Sequence, residues 1–449
     1  MSREVLPGAL TLRLREAPSH VPTHLAVRAG AEGPALRLDD GAIDRTIAKF
    51  SAAKQVTMAF ASARHVGRPA DGNRDWDDIE HETGLSRTLR VRFDPRAPVH
   101  AVVAALREIG SVDAVCADYL CVTPFAGTRH RREPIRWPNA WKQIHADHLE
   151  EAGDSALIIA IIDSGASLAH PELRGRLRPG ADLVDLPSRP SPEGLELIGD
   201  HTGRDRVPLD ENGHGTACAG ILGAVGEQVP AGLAGASRLL PMRALAGART
   251  PAGSTAIGAI PDIDAAVKLA VDLGARVLNL SFGTPATALA PSDPVPHVDV
   301  IQYALSRGCV LVAASGNAGD EVPYYPAALP GVIAVAAVDG AGVPCSFSSR
   351  GAHVAVAAPG VNIPTLAVDG YRRSTGTSFA APFVTGAAAL LIARAARRTV
   401  ALDPMDVRRL LMESAAPFPT ATAGMGAGVL DIANALARLD AELQTREAA

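Results

Sequence analysis

Residues 156–165 read ALIIAIIDSG: an apolar run, then a carboxylate, then a turn. A run without polar alternation has no wet face, so it marks a strand covered on both sides. Four further runs share this texture: RVLNL (276–280), CVLVAA (309–314), VIAVAAV (332–338) and HVAVAA (353–358). Helical stretches separate them, and strands alternating with helices read as a parallel sheet between two helical layers. Residues 141–441 are therefore expected to form a three-layer α/β/α domain around a mostly parallel sheet. Residues 442–449 are expected to be a frayed tail.

Upstream, residues 1–126 have a different texture, that of a small α+β unit. THLAVRA from Thr23 reads as a strand and IDRTIAKFSAAKQVTMAFASA from Ile43 as a helix. TLRVRF from Thr88 alternates like a half-buried strand, VHAVVAALREIG from Val99 has helical spacing, and VDAVCADYLCVTP from Val112 returns to strand. The polar stretch GRPADGNRDWDDIEHETG (67–84) reads as a mobile surface loop. Residues 127–140 begin with GTRHRREPIRWP, a basic, proline-containing linker exposed enough for proteolytic processing.

Composition narrows the classes. With 47 % hydrophobic and 20 % charged residues among 449, the chain can build a large core and is not disordered. Basic residues number 43 and acidic ones 48, a net charge of −5, which argues against nucleic acid or an anionic membrane as the main partner. The N-terminal residues carry no apolar signal core. No apolar stretch reaches membrane-spanning length; GAAALLIARAA from Gly386 is broken by Arg394. The expectation is a soluble, cytoplasmic protein, with signal-independent export left open. The five cysteines (Cys116, Cys121, Cys218, Cys309, Cys345) are odd in number and lack metal-ligand spacing, so free thiols are expected.

Four residues carry the chemistry. Asp163 closes the first apolar run, at the carboxyl end of a strand, where open α/β sheets place their sites; alone it reads equally as a turn cap. His214, in DENGHGTACAGIL, stands between two glycines at the mouth of a tightly packed helix, where partial desolvation favours the neutral, basic imidazole. Ser378, in STGTSFAAPFVTGAAALL, opens an apolar helix whose N-terminus favours negative charge; alone it reads as an N-cap. Asn317, in VLVAASGNAGD, follows a buried strand and offers an amide donor, or serves as a turn residue. The chain order Asp, His, Ser, with no G-x-S-x-G elbow, separates this set from the chymotrypsin and α/β-hydrolase orders.

From about Trp141 to Leu439 the chain resembles the subtilisin-like serine proteases. The resemblance rests on D-S-G at Asp163, N-G-H-G-T at His214, A-S-G-N at Asn317 and G-T-S-F-A-A-P at Ser378, with support from GARVLNLSFG (274–283), YPAALPGVIAVAAVD (325–339) and FSSRG (347–351). It implies a serine endopeptidase acting on protein or peptide substrates through an acyl-enzyme, with Asp163, His214 and Ser378 as triad and Asn317 in the oxyanion hole. It further implies that Ser281, Phe282 and Gly283 form the edge on which extended substrate lies. Ala313, Ala314, Ser315 and Gly316 would wall the pocket for the side chain before the scissile bond, and Tyr324 would sit at its floor. A bulky ring there favours small side chains, while nearby Asp320 and Glu321 could favour basic ones.

The N-terminal unit resembles subtilase propeptides, ferredoxin-like units acting as intramolecular chaperone and inhibitor. On that reading its last strand enters the cleft and cleavage falls within 121–134; a permanent accessory domain is the alternative. Phe379 and Phe383 stand where many relatives carry Met and His. Cys218 resembles the thiol-bearing branch, with mercurial sensitivity expected. The family's calcium loop is not recognisable in GAVGEQVPAGLAG (223–235), so no metal or other cofactor is assigned, although calcium stays open. Two other functions keep the fold: a transpeptidase or macrocyclase, for which 183–210 and 284–298 could serve as lids, and a non-catalytic binding scaffold.

Overall fold

The computed structural model describes residues 5–38, 41–65, 75–123, 129–131, 140–186, 195–203, 205–250, 253–420 and 422–448. Seven strands form a parallel sheet in the spatial order Val354–Pro359, Ile333–Val338, Val310–Ala314, Val277–Leu280, Ile158–Asp163, Arg238–Arg243, Ala181–Asp182. Every residue of Ile158–Asp163, Val310–Ala314 and Ile333–Val338 is buried, which is why these runs show no alternation. The helices His214–Gly223, Thr377–Ala396, Pro404–Ser414 and Ile432–Ala448 cover one face. Ile260–Asp272 and Val298–Ser306 cover the other. This is the three-layer α/β/α fold the strand texture predicts.

Two expectations near the C-terminus need correction. The helix Thr377–Ala396 is in fact long and apolar enough to cross a membrane, but 89 % of its apolar window is buried inside the protein. Arg394 falls in its last turn, where it pairs with Asp440 at 2.7 Å. Residues 442–448 are not frayed: the last helix runs to Ala448, with Leu443 in the core and Glu442 bound to Arg409 at 2.8 Å.

The N-terminal unit is a four-stranded antiparallel sheet in the order Lys54–Met58, Thr88–Phe93, Val5–Leu14, Val112–Val122. The helices Ala42–Ala48 and Val99–Arg107 pack on it, giving the βαββαβ ferredoxin-like layout. The sequence reading overlooked the first strand, Val5–Leu14. It also took residues 23–29 for a strand; they form the short helix His24–Arg28, because the Thr23 hydroxyl caps it by accepting from Ala26 N–H at 3.1 Å. The helix from Ile43 stops at Ala48, and its expected second half is the strand Lys54–Met58. Within the polar stretch, Asp78–Glu82 is helical, held by a reciprocal capping box between Asp77 and Glu80.

The two units share a sheet. The free edge of Val112–Val122 pairs antiparallel with Gly253–Ala259, in the register Leu120↔Ala259, Cys121↔Gly258, Val122↔Ile257. Buried ion pairs cross the same seam: Arg90–Asp262 at 2.6 Å and Glu80–Lys268 at 2.7 Å, all four side chains at most 2 % exposed. Arg13–Asp299, Asp77–Arg307 and Arg107–Asp293 add closer-to-surface pairs. Residues 284–298, expected as a lid, are therefore part of the seat of the N-terminal unit: Asp293 also accepts from the Tyr119 hydroxyl.

Removing one member of a buried pair leaves an uncompensated charge, at a cost of about 3–5 kcal/mol, whereas replacing both by apolar groups is close to neutral. Arg90→Met is expected to lower urea stability by that amount, and Arg90→Met/Asp262→Leu to restore most of it. Equal stability of the single variant and the wild type would show that the pair does not hold the seam.

Candidate active site

Asp163 ends its strand fully buried, so its carboxylate must find protein partners. Its Oδ1 accepts from Ser164 N–H at 2.7 Å, and His214 Nδ1 lies 2.8 Å from Oδ1 and 3.0 Å from Oδ2. That contact places the ring proton on Nδ1 and leaves Nε2 as the lone-pair atom. Nε2 is buried and has no hydrogen-bond partner among the described residues.

The approach of His214 depends on its glycines. Gly213 adopts φ +92°, a left-handed conformation that admits glycine readily. A Cβ on Gly215 would lie 2.2 Å from the Gly165 carbonyl oxygen and 3.1 Å from the Asp163 Cβ. Only a residue without a side chain lets the histidine helix seat against the aspartate turn. Asp210 tightens this turn with five hydrogen bonds, from Ser164 Oγ, Asn212 N–H, Gly213 N–H and both the N–H and Oγ1 of Thr216. The sequence reading missed Asp210, although its place ahead of Asn-Gly is a turn signal.

Ser378 is the second residue of the helix Thr377–Ala396, which begins after Gly376; it is not the N-cap. Its carbonyl oxygen is held by Ser281 Oγ at 2.9 Å and by the Cys218 thiol at 3.5 Å. Cys218 Sγ also lies 3.9 Å from Asp163 Oδ2, so one thiol bridges the acid and the serine helix. The His214 ring meets Phe379 at 5.3 Å between centroids. The Ser378 hydroxyl donates to the Ser281 carbonyl oxygen at 3.2 Å, and no hydrogen bond joins it to His214. A hydroxyl turns freely about its Cα–Cβ bond, and here it takes the fixed backbone acceptor.

Asn317 follows the strand Val310–Ala314. Its Oδ1 accepts from Thr377 N–H at 2.9 Å and Thr377 Oγ1 at 2.8 Å. Because a backbone N–H can only donate, this settles which end of the amide is oxygen. Nδ2 is left buried without a partner among the described residues. Beneath the site a polar chain runs from Thr385 Oγ1 to Asn279 Oδ1 and from Asn279 Nδ2 to Ser281 Oγ, fixing the edge strand against the serine helix.

A model described as the subtilase family matches residues 154–432, more than half of the chain. The chain belongs to the subtilase family, the subtilisin-like serine peptidases. It is 38 % identical over 242 residues to a thermophilic serine proteinase of Bacillus sp. (strain AK1), a match spanning 53 % of each chain. It is 34 % identical over 270 residues to thermitase of Thermoactinomyces vulgaris, spanning 60 % of this chain and 83 % of thermitase. Among solved structures, the patellamide maturation protease PatA covers 64 % of this chain and 98 % of its own at 28 % identity and a TM-score of 0.51. A protease from Pseudoalteromonas arctica PAMC 21717 covers 71 % and 99 % at 26 % identity and a TM-score of 0.56.

In this subtilase, of Ser281, Phe282 and Gly283, the last makes an isolated antiparallel bridge: Gly283 N–H faces the Val122 carbonyl oxygen at 3.5 Å. The Ser281 and Phe282 side chains point away from it, into the polar chain and the core. Ala313, Ala314 and Ser315 are buried, and Ser315 Oγ donates to Ser349 O at 2.9 Å. Between Gly283 and Gly316 lies the Tyr324 ring: a Cβ on Gly316 would fall 2.9 Å from Tyr324 Cδ2, and one on Gly283 3.3 Å from Cδ1. Asp320 accepts from Ser349 Oγ at 3.1 Å and Glu321 pairs with Arg350 at 3.3 Å, so both acids are engaged. Phe383 meets Trp141 edge-on at 4.9 Å, a packing role.

Two places bear on metals. The buried Glu172 carboxylate accepts three loop N–H groups, of Gly226 (2.8 Å), Glu227 (3.2 Å) and Gln228 (2.5 Å). That part of 223–235 thus turns its N–H groups inward, an arrangement suited to an anion, which Glu172 supplies. Asp182, Asp200 and Asp205 bring carboxylate oxygens within 4.8 Å of one another. The Arg243 guanidinium lies 2.5 Å from Asp182 and 2.9 Å from Glu211, so this cluster has a protein cation against it.

All five cysteines are free. Burial, and then the Asp163 charge, raise the Cys218 thiol well above its usual range. Thiolate is the alkylating form, so native protein at pH 8 is expected to keep Cys218 unmodified by iodoacetamide, while urea-unfolded protein reacts fully. Peptide mass spectrometry reads the difference; rapid native labelling would place the thiol at an open surface instead.

Proposed function

We propose that this subtilase is an endopeptidase that hydrolyses peptide bonds by acyl transfer. The observation that carries the reading is a pair of unpartnered atoms on residues that touch the two neighbours of Ser378, Phe379 and Thr377: a lone-pair nitrogen on an imidazole held by a buried carboxylate, and an amide donor whose oxygen is tied back. Ser378 attacks the scissile carbonyl after a rotation of its hydroxyl, and His214 Nε2 takes the proton. Such contacts commonly tighten only when substrate is bound. Asp163 keeps the tautomer and stabilises the imidazolium, which then protonates the leaving amine. Asn317 Nδ2 and the Ser378 N–H stabilise the oxyanion.

We read the N-terminal unit as an inhibitor occupying the substrate side of the cleft. In support, Val122 lies between Gly283 and Ile257, and Thr123 N–H donates to Ala256 O at 2.9 Å, so chain already fills the slot an extended peptide would take. Further on, Arg129–Arg131 pairs with Tyr371–Ser374, the strand that leads to Ser378. The expected processing range, 121–134, lies mostly outside the described residues. The linker boundary at 127 also lies outside them, whereas Ala140, expected as its exposed end, is buried and opens the short helix Ala140–Gln143.

Ser378→Ala is expected to abolish peptide hydrolysis and fluorophosphonate labelling and to keep the chain at full mass, while wild type is cut within 121–134. Asn317→Leu should label but turn over roughly 10²–10³ more slowly. Labelling of the alanine variant would remove Ser378 as nucleophile; uncut, active wild type would make the N-terminal unit a permanent domain.

With its ring across the pocket between two glycines, Tyr324 confines substrates to small residues before the scissile bond. Tyr324→Gly is expected to raise kcat/KM for a phenylalanyl over an alanyl peptide by about 10–100-fold, on the order of 1–3 kcal/mol for filled apolar space. An unchanged ratio would place selectivity elsewhere.

A further inference from the structure

Away from the candidate catalytic residues, the seam between the two units holds a half-open pocket of about 320 Å³, in the size range of small-molecule sites. Val115 and Ala117 of the N-terminal unit form one wall. Pro261 of the helix Ile260–Asp272, with Leu289 and Val298, forms the other. Most of this lining is apolar, and it would accept a compact hydrocarbon body.

The polar groups on the walls are unevenly matched. Asp118, 3 % exposed, has one hydrogen bond, from Thr11 Oγ1 at 2.7 Å. Burial pushes its carboxyl up to about 6, the response of a carboxylate with no cation in contact. Arg90, the nearest base acting on it, is spent on Asp262. Asp264, half-buried, has one hydrogen-bond partner among the described residues, His297 Nδ1. His297 is 4 % exposed, adopts φ +67°, and its Nε2 is buried with no partner among the described residues. With Nδ1–H given to Asp264, the neutral ring offers a lone pair at Nε2. Arg13, which also lines the space, is committed to Asp113 and Asp299.

The unfilled capacity is therefore almost all acceptor, and two carboxylates lack a lysine or arginine in contact. We infer that this cavity is a binding site for a small organic ammonium ion carrying a compact apolar body. The ammonium would donate to Asp118, the more deeply buried of the two carboxylates. A single metal ion fits less well, because the described clusters with three donors within 4.8 Å all lie elsewhere. A ligand touching both walls binds only while the units are docked, and so favours the docked state by mass action.

Calorimetry on full-length Ser378→Ala protein tests this with phenethylamine as the probe and 2-phenylethanol as its neutral counterpart. Saturable binding of the amine is expected, at least about tenfold tighter than that of the alcohol, a difference of about 1.4 kcal/mol. Asp118→Asn keeps the Thr11 hydrogen bond and should lose at least that factor. Leu289→Trp, at a partly exposed position, should abolish binding by filling the space. Absence of amine binding, equal binding of amine and alcohol, or amine binding that survives Leu289→Trp would overturn the site.

Discussion

A carboxylate at the end of the central strand, sealed from water, has to be satisfied by the protein alone. Asp163 meets that demand with one backbone N–H, one imidazole and the Cys218 thiol, and much of the site's geometry follows from it. The histidine helix must come close enough for Nδ1 to reach, which demands glycine at 215, and the turn before it must be rigid, which Asp210 provides. A charged group in a low-dielectric interior is costly unless paired. Here the pairing also orients the ring, so stability and chemistry draw on the same hydrogen bond.

The seam between the units applies the same physics at larger scale. Arg90 and Asp262, Glu80 and Lys268 are each buried against an opposite charge from the other unit. The shared sheet gives the docking its register through Leu120, Cys121 and Val122. That register carries the end of the N-terminal unit along the edge at Gly283, beside the catalytic residues. The same docking leaves a pocket beside the helix Ile260–Asp272 and the strand Val112–Val122, and His297 Nε2, on its lining, has no partner among the described residues.

What was legible in the chain was what short windows encode. Runs such as VIAVAAV announce strands covered on both faces, because absence of alternation is a direct consequence of double burial. Asp163, His214, Asn317 and Ser378 stand out because glycine and small residues surround them wherever backbone must approach closely. Less legible were segments whose state rests on partners far along the chain. The strand Lys54–Met58 continues a helical pattern and becomes a strand because Thr88–Phe93 offers it an edge. Glu80, in a polar stretch that reads as loop, is buried with its carboxylate accepting from Ala63 and Asp77 N–H and paired with Lys268 across the seam.

By itself, then, the sequence determined the layered α/β/α architecture, the family to which the chain belongs, and the candidate site residues with their order. Tertiary structure alone decided which way each of them faces. The Ser378 hydroxyl rests on a backbone carbonyl, the Tyr324 ring lies between Gly283 and Gly316, and the Asn317 oxygen accepts from Thr377 and leaves the nitrogen free. The reason is one of range: periodicity records the burial of neighbours in sequence, whereas these hydrogen bonds join residues 60 and 97 positions apart, once the layers have closed.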